Sequence, residues 1–145
     1  MTAVDTNILV FAHRSDSPYH QPARAWLRAT VESPAAWALP WPCIHEFLSV
    51  VSNPRIFAEN PTPPPLAVQQ VDALLSAPNV TLLRENSAYW RTLKQLLEQA
   101  PVRGAKIHDA RIYALCLAHG VRMLSTADRD FGQFEGLQLF DPTDA

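Results

Sequence analysis

The chain has 145 residues, 48% of them hydrophobic and 18% charged, and a formal net charge of −2 at pH 7. This size and composition are typical of one compact domain with a substantial core, so we expect residues 1–145 to form a single domain. No stretch approaches the roughly 20 consecutive apolar residues of a membrane-spanning helix, so no association with a membrane is expected.

The N-terminal half alternates short apolar runs with longer runs of helical spacing. A buried strand is predicted at residues 2–4, with a helix opening directly after it at residues 6–13. A second helix is predicted at residues 21–31 and a second strand at residues 36–39. Pro42 suits the first turn of a further helix, whose apolar stripe ends before the next Asn-Pro pair.

The C-terminal half continues the alternation. One helix is predicted at residues 66–77, and another at residues 87–99 with Asn86 as its N-cap. A third, at residues 107–119, ends at Gly120, a residue type common just beyond a helix end. Strands are predicted in this half at residues 80–83, 121–124 and 137–140.

This alternation predicts an α/β fold, a sandwich of helices around a mostly parallel sheet of about five strands. Parallel sheets bind ligands outside the carboxyl ends of their strands. Asp5 directly follows the first strand, Glu46 lies early in the helix after the second, and Asp128 comes shortly after the fourth. Asp109 lies in the first turn of a predicted helix. Taken singly, each acid has an ordinary alternative as a helix cap, an ion-pair partner or a surface charge.

The four acids would share a purpose if they converged. Mg²⁺ and Mn²⁺ prefer carboxylate and water oxygens, and two such ions about 4 Å apart can activate water and stabilise the departing oxygen in phosphodiester cleavage. Carboxylates gathered at one point repel each other strongly without a metal ion. Setting these four aside leaves 12 basic and 10 acidic residues, so the net charge does not argue against a nucleic-acid partner.

Four segments carry a recognisable pattern: residues 4–10 (VDTNILV), 46–57 (EFL followed by SNPRIF), 108–114 (HDARIYA) and 124–131 (LSTADRDF). Together they resemble the PIN-domain family of ribonucleases, in particular the VapC-type toxins of bacterial toxin–antitoxin pairs. Their order and separations agree with the family from end to end, which makes the match specific, whereas any one short piece would be weak.

The resemblance implies one PIN domain over residues 1–145, bound Mg²⁺ or Mn²⁺, and endonucleolytic RNA cleavage by metal-activated water that leaves a 5′-phosphate and a 3′-hydroxyl. It implies Asp5 and Asp109 as principal metal ligands, Glu46 as completing the site, and Asp128 as contributing directly or through water. These four acids are also the implied catalytic residues. Side chains that orient the carboxylates and water are implied at Thr6, Asn7, Thr126 and Asp130. Either Asp128 or Asp130 could face the metal, and we favour Asp128.

The resemblance also implies three partners: an RNA substrate, a VapB-type antitoxin whose C-terminal segment enters the acidic groove, and a second copy of the chain in a homodimer. Cys43 and Cys116 sit in apolar surroundings without metal-ligand spacing, so we expect buried free thiols. Because no basic leader of a secretory signal follows Met1, the chain is expected to be cytoplasmic.

Other prominent residues are assigned lesser roles. His45 and His108 adjoin two of the acids, but neighbouring helix positions point about 100° apart, so neither is given an acid–base role. Four tryptophans are expected in the core or in an antitoxin interface rather than stacked on bases, namely Trp26, Trp37, Trp41 and Trp90. Four arginines are candidates for phosphate contacts, although each alone is more often a solvated charge: Arg14, Arg55, Arg111 and Arg129.

Two other functions fit part of the pattern. Haloacid-dehalogenase-like phosphatases also have an aspartate after the first strand, but they require a second acid two positions later, where this chain has Asn7. A non-catalytic PIN scaffold that holds RNA or an antitoxin has no need of four mutually repelling carboxylates. The nuclease interpretation is therefore favoured over both.

Overall fold

The structure is a computed structural model that describes residues 1–144. These residues contain one five-stranded sheet, and its strands pair in parallel in the order β3-β2-β1-β4-β5. The predicted fold class, with a mostly parallel sheet of about five strands, is confirmed. The strands are Thr2–Val4 (β1), Trp37–Pro40 (β2), Val80–Leu83 (β3), Met123–Ser125 (β4) and Gln138–Phe140 (β5).

Helices cover both faces of this sheet. The α-helices within the described residues are Thr6–His13 (α1), His20–Glu32 (α2), Trp41–Val51 (α3), Pro64–Leu75 (α4), Tyr89–Gln99 (α5) and Ile107–Ala118 (α6). Helices α1 to α4 pack against one apolar cluster, and α5 and α6 pack against another on the opposite face. A short 3₁₀ helix at Gly104–Lys106 precedes α6, and another at Arg129–Gln133 follows β4.

The central strands are buried because both faces are covered. All four residues of β2 are buried, and its side chains alternate between the two clusters, with Ala38 toward α6 and Trp37 and Leu39 toward α1 and α3. In β1, Ala3 and Val4 divide in the same way. The predicted burial of Trp37 is confirmed, whereas Trp90 on α5 is 66% exposed and lies outside the core.

Two predicted helix starts were wrong. The helix expected at residues 87–99 begins at Tyr89, and Asn86 is not its N-cap. The Asn86 side chain instead accepts a hydrogen bond from the Ala88 N–H and donates one to the Ala118 carbonyl, which builds a turn ahead of the helix. The helix expected at residues 66–77 runs from Pro64 to Leu75, because proline lacks only an N–H that the first helical turn does not use.

The end of α6 explains why β4 begins two residues later than predicted. Gly120 has a positive φ of 71°, as expected of the residue just beyond a helix end. Its N–H donates to the Leu117 carbonyl, and the N–H of Val121 donates to the Cys116 carbonyl. Val121 therefore caps the helix instead of pairing in the sheet, and the strand starts at Met123.

Two further observations concern the chain as a whole. Cys43 and Cys116 are free and buried, as predicted. Among residues 1–144, none of the helices combines the length and the apolar character that crossing a bilayer requires.

Candidate metal centre

Asp5 lies at the carboxyl end of the central strand β1, where it caps the N-terminus of α1. Its Oδ1 accepts a hydrogen bond from the Thr6 N–H at 2.8 Å, and its Oδ2 accepts one from the Thr126 hydroxyl at 2.8 Å. The Asn7 amide also donates to Oδ2, at 3.3 Å. The carboxylate is only 5% exposed, so these donors hold one orientation of a buried anion.

The pairing of β1 with β4 brings Thr126 to Asp5. The Asp5 N–H donates to the Ser125 carbonyl at 3.0 Å, which places the residue after β4 beside the residue after β1. The Thr126 hydroxyl accepts hydrogen bonds from the Asn7 amide and from the Asp128 N–H. The Asn7 side-chain oxygen in turn accepts from the Ala127 N–H. This network joins the two strand ends and sets the start of the loop that carries Asp128.

One cavity of about 270 Å³ is lined by all four acids predicted from the sequence, Asp5, Glu46, Asp109 and Asp128. Each acid comes from a different element: the end of β1, the second turn of α3, the first turn of α6 and the loop after β4. Asp5, Glu46 and Asp128 converge because β2, β1 and β4 are adjacent and parallel and their carboxyl ends meet at one edge. Asp109 joins them because α6 packs against β1 and β2.

Three carboxyls of this cavity have raised pKa values, so their charged forms are disfavoured without a cation. Burial raises the pKa of Asp5 from 3.8 to about 6, despite the hydrogen bonds from Thr126 and Thr6 that lower it. Burial also raises the pKa of Glu46 and of Asp109, and the negative charge of a neighbouring acid raises each further: that of Asp109 for Glu46, and that of Asp128 for Asp109. A cation bound in the cavity would lower all three pKa values.

The donor set fits a hydrated, oxygen-binding cation. Among residues 1–144, no group of three or more His, Cys, Asp and Glu side chains is close enough to hold one ion directly. The hydroxyl of Thr6 is buried and makes no hydrogen bond within that range, and Thr6 lines the same cavity. Water carried by a cation would give this hydroxyl a partner, and Mg²⁺ in particular retains several of its waters when proteins bind it.

The structure separates the two aspartates that follow β4. Asp128 lines the cavity of the acids. Asp130 forms an ion pair with Lys106 instead, and its N–H donates to the Asp128 carboxylate at 2.9 Å. Asp128 is therefore the one of the two aspartates that lies with the other three acids, and its role at a metal stays a prediction.

Sequence reasoning missed two neighbours of the acids and misplaced Arg14. The Cys43 thiol lies 3.7 Å from Asp5 Oδ1, and Lys106 pairs with Asp130. These contacts join residues 38 and 24 positions apart in the chain, so no local spacing in the sequence indicates them. Arg14 is buried and hydrogen-bonded within the protein, so its assignment to an RNA path was wrong.

Replacing Thr126 with valine should lower RNA cleavage by about 10- to 100-fold, because residues that orient metal ligands typically contribute that much. Valine keeps the shape of threonine but removes the donor to Asp5 and the acceptor for the Asp128 N–H. Cleavage rates and Mn²⁺ titration calorimetry would measure the effect. Thr81→Val, at an exposed position of β3, is the matched control. A Thr126→Val variant that binds Mn²⁺ and cleaves within twofold of the wild type contradicts the orienting role.

Comparison with known proteins identifies the family of the chain. The model of the PIN domain family matches residues 2–137. Ribonuclease VapC43 of Mycobacterium tuberculosis is 38% identical over 99% of this chain and 97% of its own length. Ribonuclease VapC48 of the same organism is 30% identical over 95% of this chain and 94% of its own length.

Solved structures show the same fold at low sequence identity. VapBC2 from Rickettsia felis, bound to a DNA fragment of its promoter, matches with a TM-score of 0.70 at 17% identity over 97% of each chain. VapC20 of Mycobacterium tuberculosis, described as a toxin that cleaves the sarcin-ricin loop, matches with a TM-score of 0.67 at 17% identity over 95% of this chain and 99% of its own. The fold is thus that of a PIN domain. The chain belongs to the PIN-domain family and, within it, to the VapC ribonucleases.

Proposed function

We propose that this chain is a metal-dependent endoribonuclease and the toxic component of a type II toxin–antitoxin system. The observation that carries the proposal is the cavity in which four acids from separate elements meet at the carboxyl edge of the sheet. The raised pKa values of three of them support it, because such carboxylates need a cation to be stable together.

In the proposed mechanism, Asp5, Glu46 and Asp109 would hold Mg²⁺ or Mn²⁺, in part through waters that the ion retains, and Asp128 would contribute directly or through water. A bound cation would supply the positive charge that activates water for attack on the scissile phosphate and stabilises the charge that develops there. Thr126 and Asn7 keep the Asp5 carboxylate oriented. A cavity carboxylate of raised pKa accepts the proton of the attacking water while the bond between phosphorus and the 3′ oxygen breaks. The departing 3′ oxygen takes a proton from solvent, so the products are a 5′-phosphate and a 3′-hydroxyl.

The test is cleavage of a panel of structured RNAs by the purified chain with Mg²⁺, with Mn²⁺, and with EDTA. We expect cleavage with either metal and none with EDTA, with 5′-phosphate ends on the products. Mapping of cut sites in total RNA after induction would identify the substrate. A chain that binds no divalent ion and cuts none of the RNAs would instead be a scaffold that only binds RNA or an antitoxin.

We propose a VapB-type antitoxin as protein partner and a homodimer as the assembled state, acting on RNA in the cytoplasm. Support for the antitoxin comes from solved relatives whose descriptions name VapBC complexes. A basic antitoxin side chain would be attracted by the charge of the acidic cavity. Co-expression with a candidate VapB-type antitoxin should yield a complex that does not cleave RNA. Light scattering of the free chain should report twice the 16.2 kDa mass.

In metal-free buffer, the wild type should lose stability relative to Asp5→Asn as the pH rises from 4 to 7. The difference between their free energies of unfolding should change by about 2–3 kcal/mol. The Asp5 carboxyl has a pKa of about 6 in the folded protein against 3.8 ordinarily. Its protonated form therefore stabilises the fold below pH 3.8, and this contribution is lost as the pH rises through 6. Urea titrations in EDTA would measure it.

The same stability measurement is then repeated with added Mn²⁺. At pH 7.5, added Mn²⁺ should restore the stability of the wild type. It should leave Asp5→Asn nearly unchanged, because the neutral asparagine lacks the negative charge that the site needs at position 5 to bind the ion. Parallel pH curves for the two proteins, with equal responses to Mn²⁺, would show that Asp5 neither titrates near pH 6 nor binds metal.

A further inference from the structure

A second cavity, of about 520 Å³, adjoins the cavity of the acids along the seam between α3 and α6. The two cavities have Glu46, Asp109 and Ile112 in common among their lining residues, so these side chains form a shared wall. A nucleic-acid strand whose scissile phosphate lies at the acids would therefore pass directly from one cavity into the other.

The remaining polar lining of the second cavity consists of hydrogen-bond donors. They come from two helices: His45 and Ser49 from α3, and His108 and Arg111 from α6. Residues three or four apart share a helix face, so each pair lines the cavity together. Each helix thus presents an acid to both cavities and donors to the second.

The charge of this second cavity changes once the acids are neutralised. Glu46 and Asp109 are the residues proposed to bind a cation, which leaves the Arg111 guanidinium as the net charge among the lining residues. Arg111 is only loosely engaged, because its Nη2 lies 3.6 Å from Glu85 Oε1 and the two side chains are 43% and 60% exposed. An exposed ion pair of this kind contributes little to stability. The Arg111 guanidinium can therefore leave Glu85 and bind a phosphate instead.

The first cavity offers fewer contacts to a phosphate. Beyond the acids, its polar lining is limited to Thr6 and Asn7, and the rest includes Val10, Phe11 and Val50. The Asn7 amide already donates to Asp5 and Thr126, and the Thr6 hydroxyl is assigned above to water carried by the cation. Among the residues that line the two cavities, the donors that remain for a phosphate adjacent to the scissile one are therefore those of the second cavity.

We propose that the cavity lined by His45, Ser49, His108 and Arg111 binds the phosphodiester next to the scissile one in the RNA strand. Arg111 supplies the charge, and the imidazole and hydroxyl groups supply further donors. This inference rests on the proposed nuclease function and adds to it the path of the substrate backbone. Because the contacts are to phosphate, they fix the position of the strand without reading its sequence.

The test is binding of a fluorescein-labelled, random-sequence, single-stranded RNA 12-mer, followed by anisotropy across a salt series. Ca²⁺ replaces Mg²⁺ and Mn²⁺ so that the acids remain neutralised, and a gel confirms that the RNA stays intact. Arg111→Gln should bind about five- to tenfold more weakly, with a salt slope less steep by about 0.7, the value for one phosphate contact on a single strand. Arg111→Lys should keep the wild-type slope at intermediate affinity, because it retains the charge but not the planar fork.

Two further variants sharpen the result. Arg28→Gln removes another exposed arginine that pairs with a glutamate, and it should bind as the wild type does. Glu85→Gln should bind about twofold more tightly, a gain that a damaged fold cannot produce. The inference is overturned if Arg111→Gln matches Arg28→Gln in affinity and slope, or if Glu85→Gln binds no more tightly than the wild type. Failure of the nuclease function shows separately, as a wild type that neither binds Mn²⁺ nor cleaves RNA.

Discussion

Replacing Asp5 with asparagine should lower RNA cleavage by at least about 10³-fold, the scale on which loss of a residue central to catalysis acts. Asparagine has nearly the same shape as aspartate, and the backbone donor of Thr6 can still bond to its side-chain oxygen. What is lost is the negative charge on which metal binding depends. Single-turnover cleavage and Mn²⁺ calorimetry should therefore fail together, while circular dichroism shows an intact fold.

The stability of this variant distinguishes a lost ligand from a damaged structure. The wild-type carboxylate is buried with a pKa raised to about 6, so a neutral side chain should make the metal-free protein more stable at pH 7, not less. Asp72→Asn, on the exposed face of α4, changes charge by the same amount and should leave cleavage unchanged. An Asp5→Asn protein that still cleaves at near wild-type rate would remove Asp5 from the proposed mechanism.

Replacing Arg14 with methionine should destabilise the protein by about 3 kcal/mol, because it removes a buried charge at the centre of a hydrogen-bond network. The Arg14 side chain is 7% exposed and pairs through two nitrogens with Asp16. It also donates to the backbone and side-chain oxygens of Asn60, both at 2.7 Å, and lies 3.9 Å from the ring centre of Phe57. The segment between α3 and α4 is thereby attached to the end of α1.

Thermal and urea unfolding would measure the loss, which for a chain of this length corresponds to a melting temperature lower by roughly 10 °C. Arg28→Met is the matched control, since Arg28 forms only an exposed pair with Glu32 and its loss should have little effect. Asp16→Asn should fall between the two, because Asp16 is half-exposed while Arg14 keeps its contacts to Asn60. Equal melting temperatures for Arg14→Met and Arg28→Met would mean that the network does not stabilise the fold.

The sequence predicts those features of the fold and the site that depend on residues close together in the chain. The alternation of strands and helices gave the α/β class, and the placement of Asp5 and Asp128 after strands, combined with parallel pairing, put them at the same edge of the sheet. Gly120 was recognisable as the residue beyond α6 because a positive φ there favours glycine.

The features that it could not predict depend on partners far away in the chain. Arg14 resembles any surface arginine until Asn60 and Phe57, more than 40 positions later, fold over it. Asn86 has the residue type of an N-cap, but its amide bonds to the carbonyl of Ala118 instead. The cavity beside Arg111 is likewise invisible in the sequence, because it exists only where α3 and α6 pack together.

The position of β1 at the middle of the sheet has a consequence for synthesis of the protein. β1 leaves the ribosome well before β4, with which it pairs, and the hydrogen bond between Thr126 and Asp5 spans 121 residues. Contacts between segments so far apart in sequence form only after the later segment has emerged. The acidic cavity therefore stays incomplete during synthesis until β4 and the loop that carries Asp128 have left the ribosome.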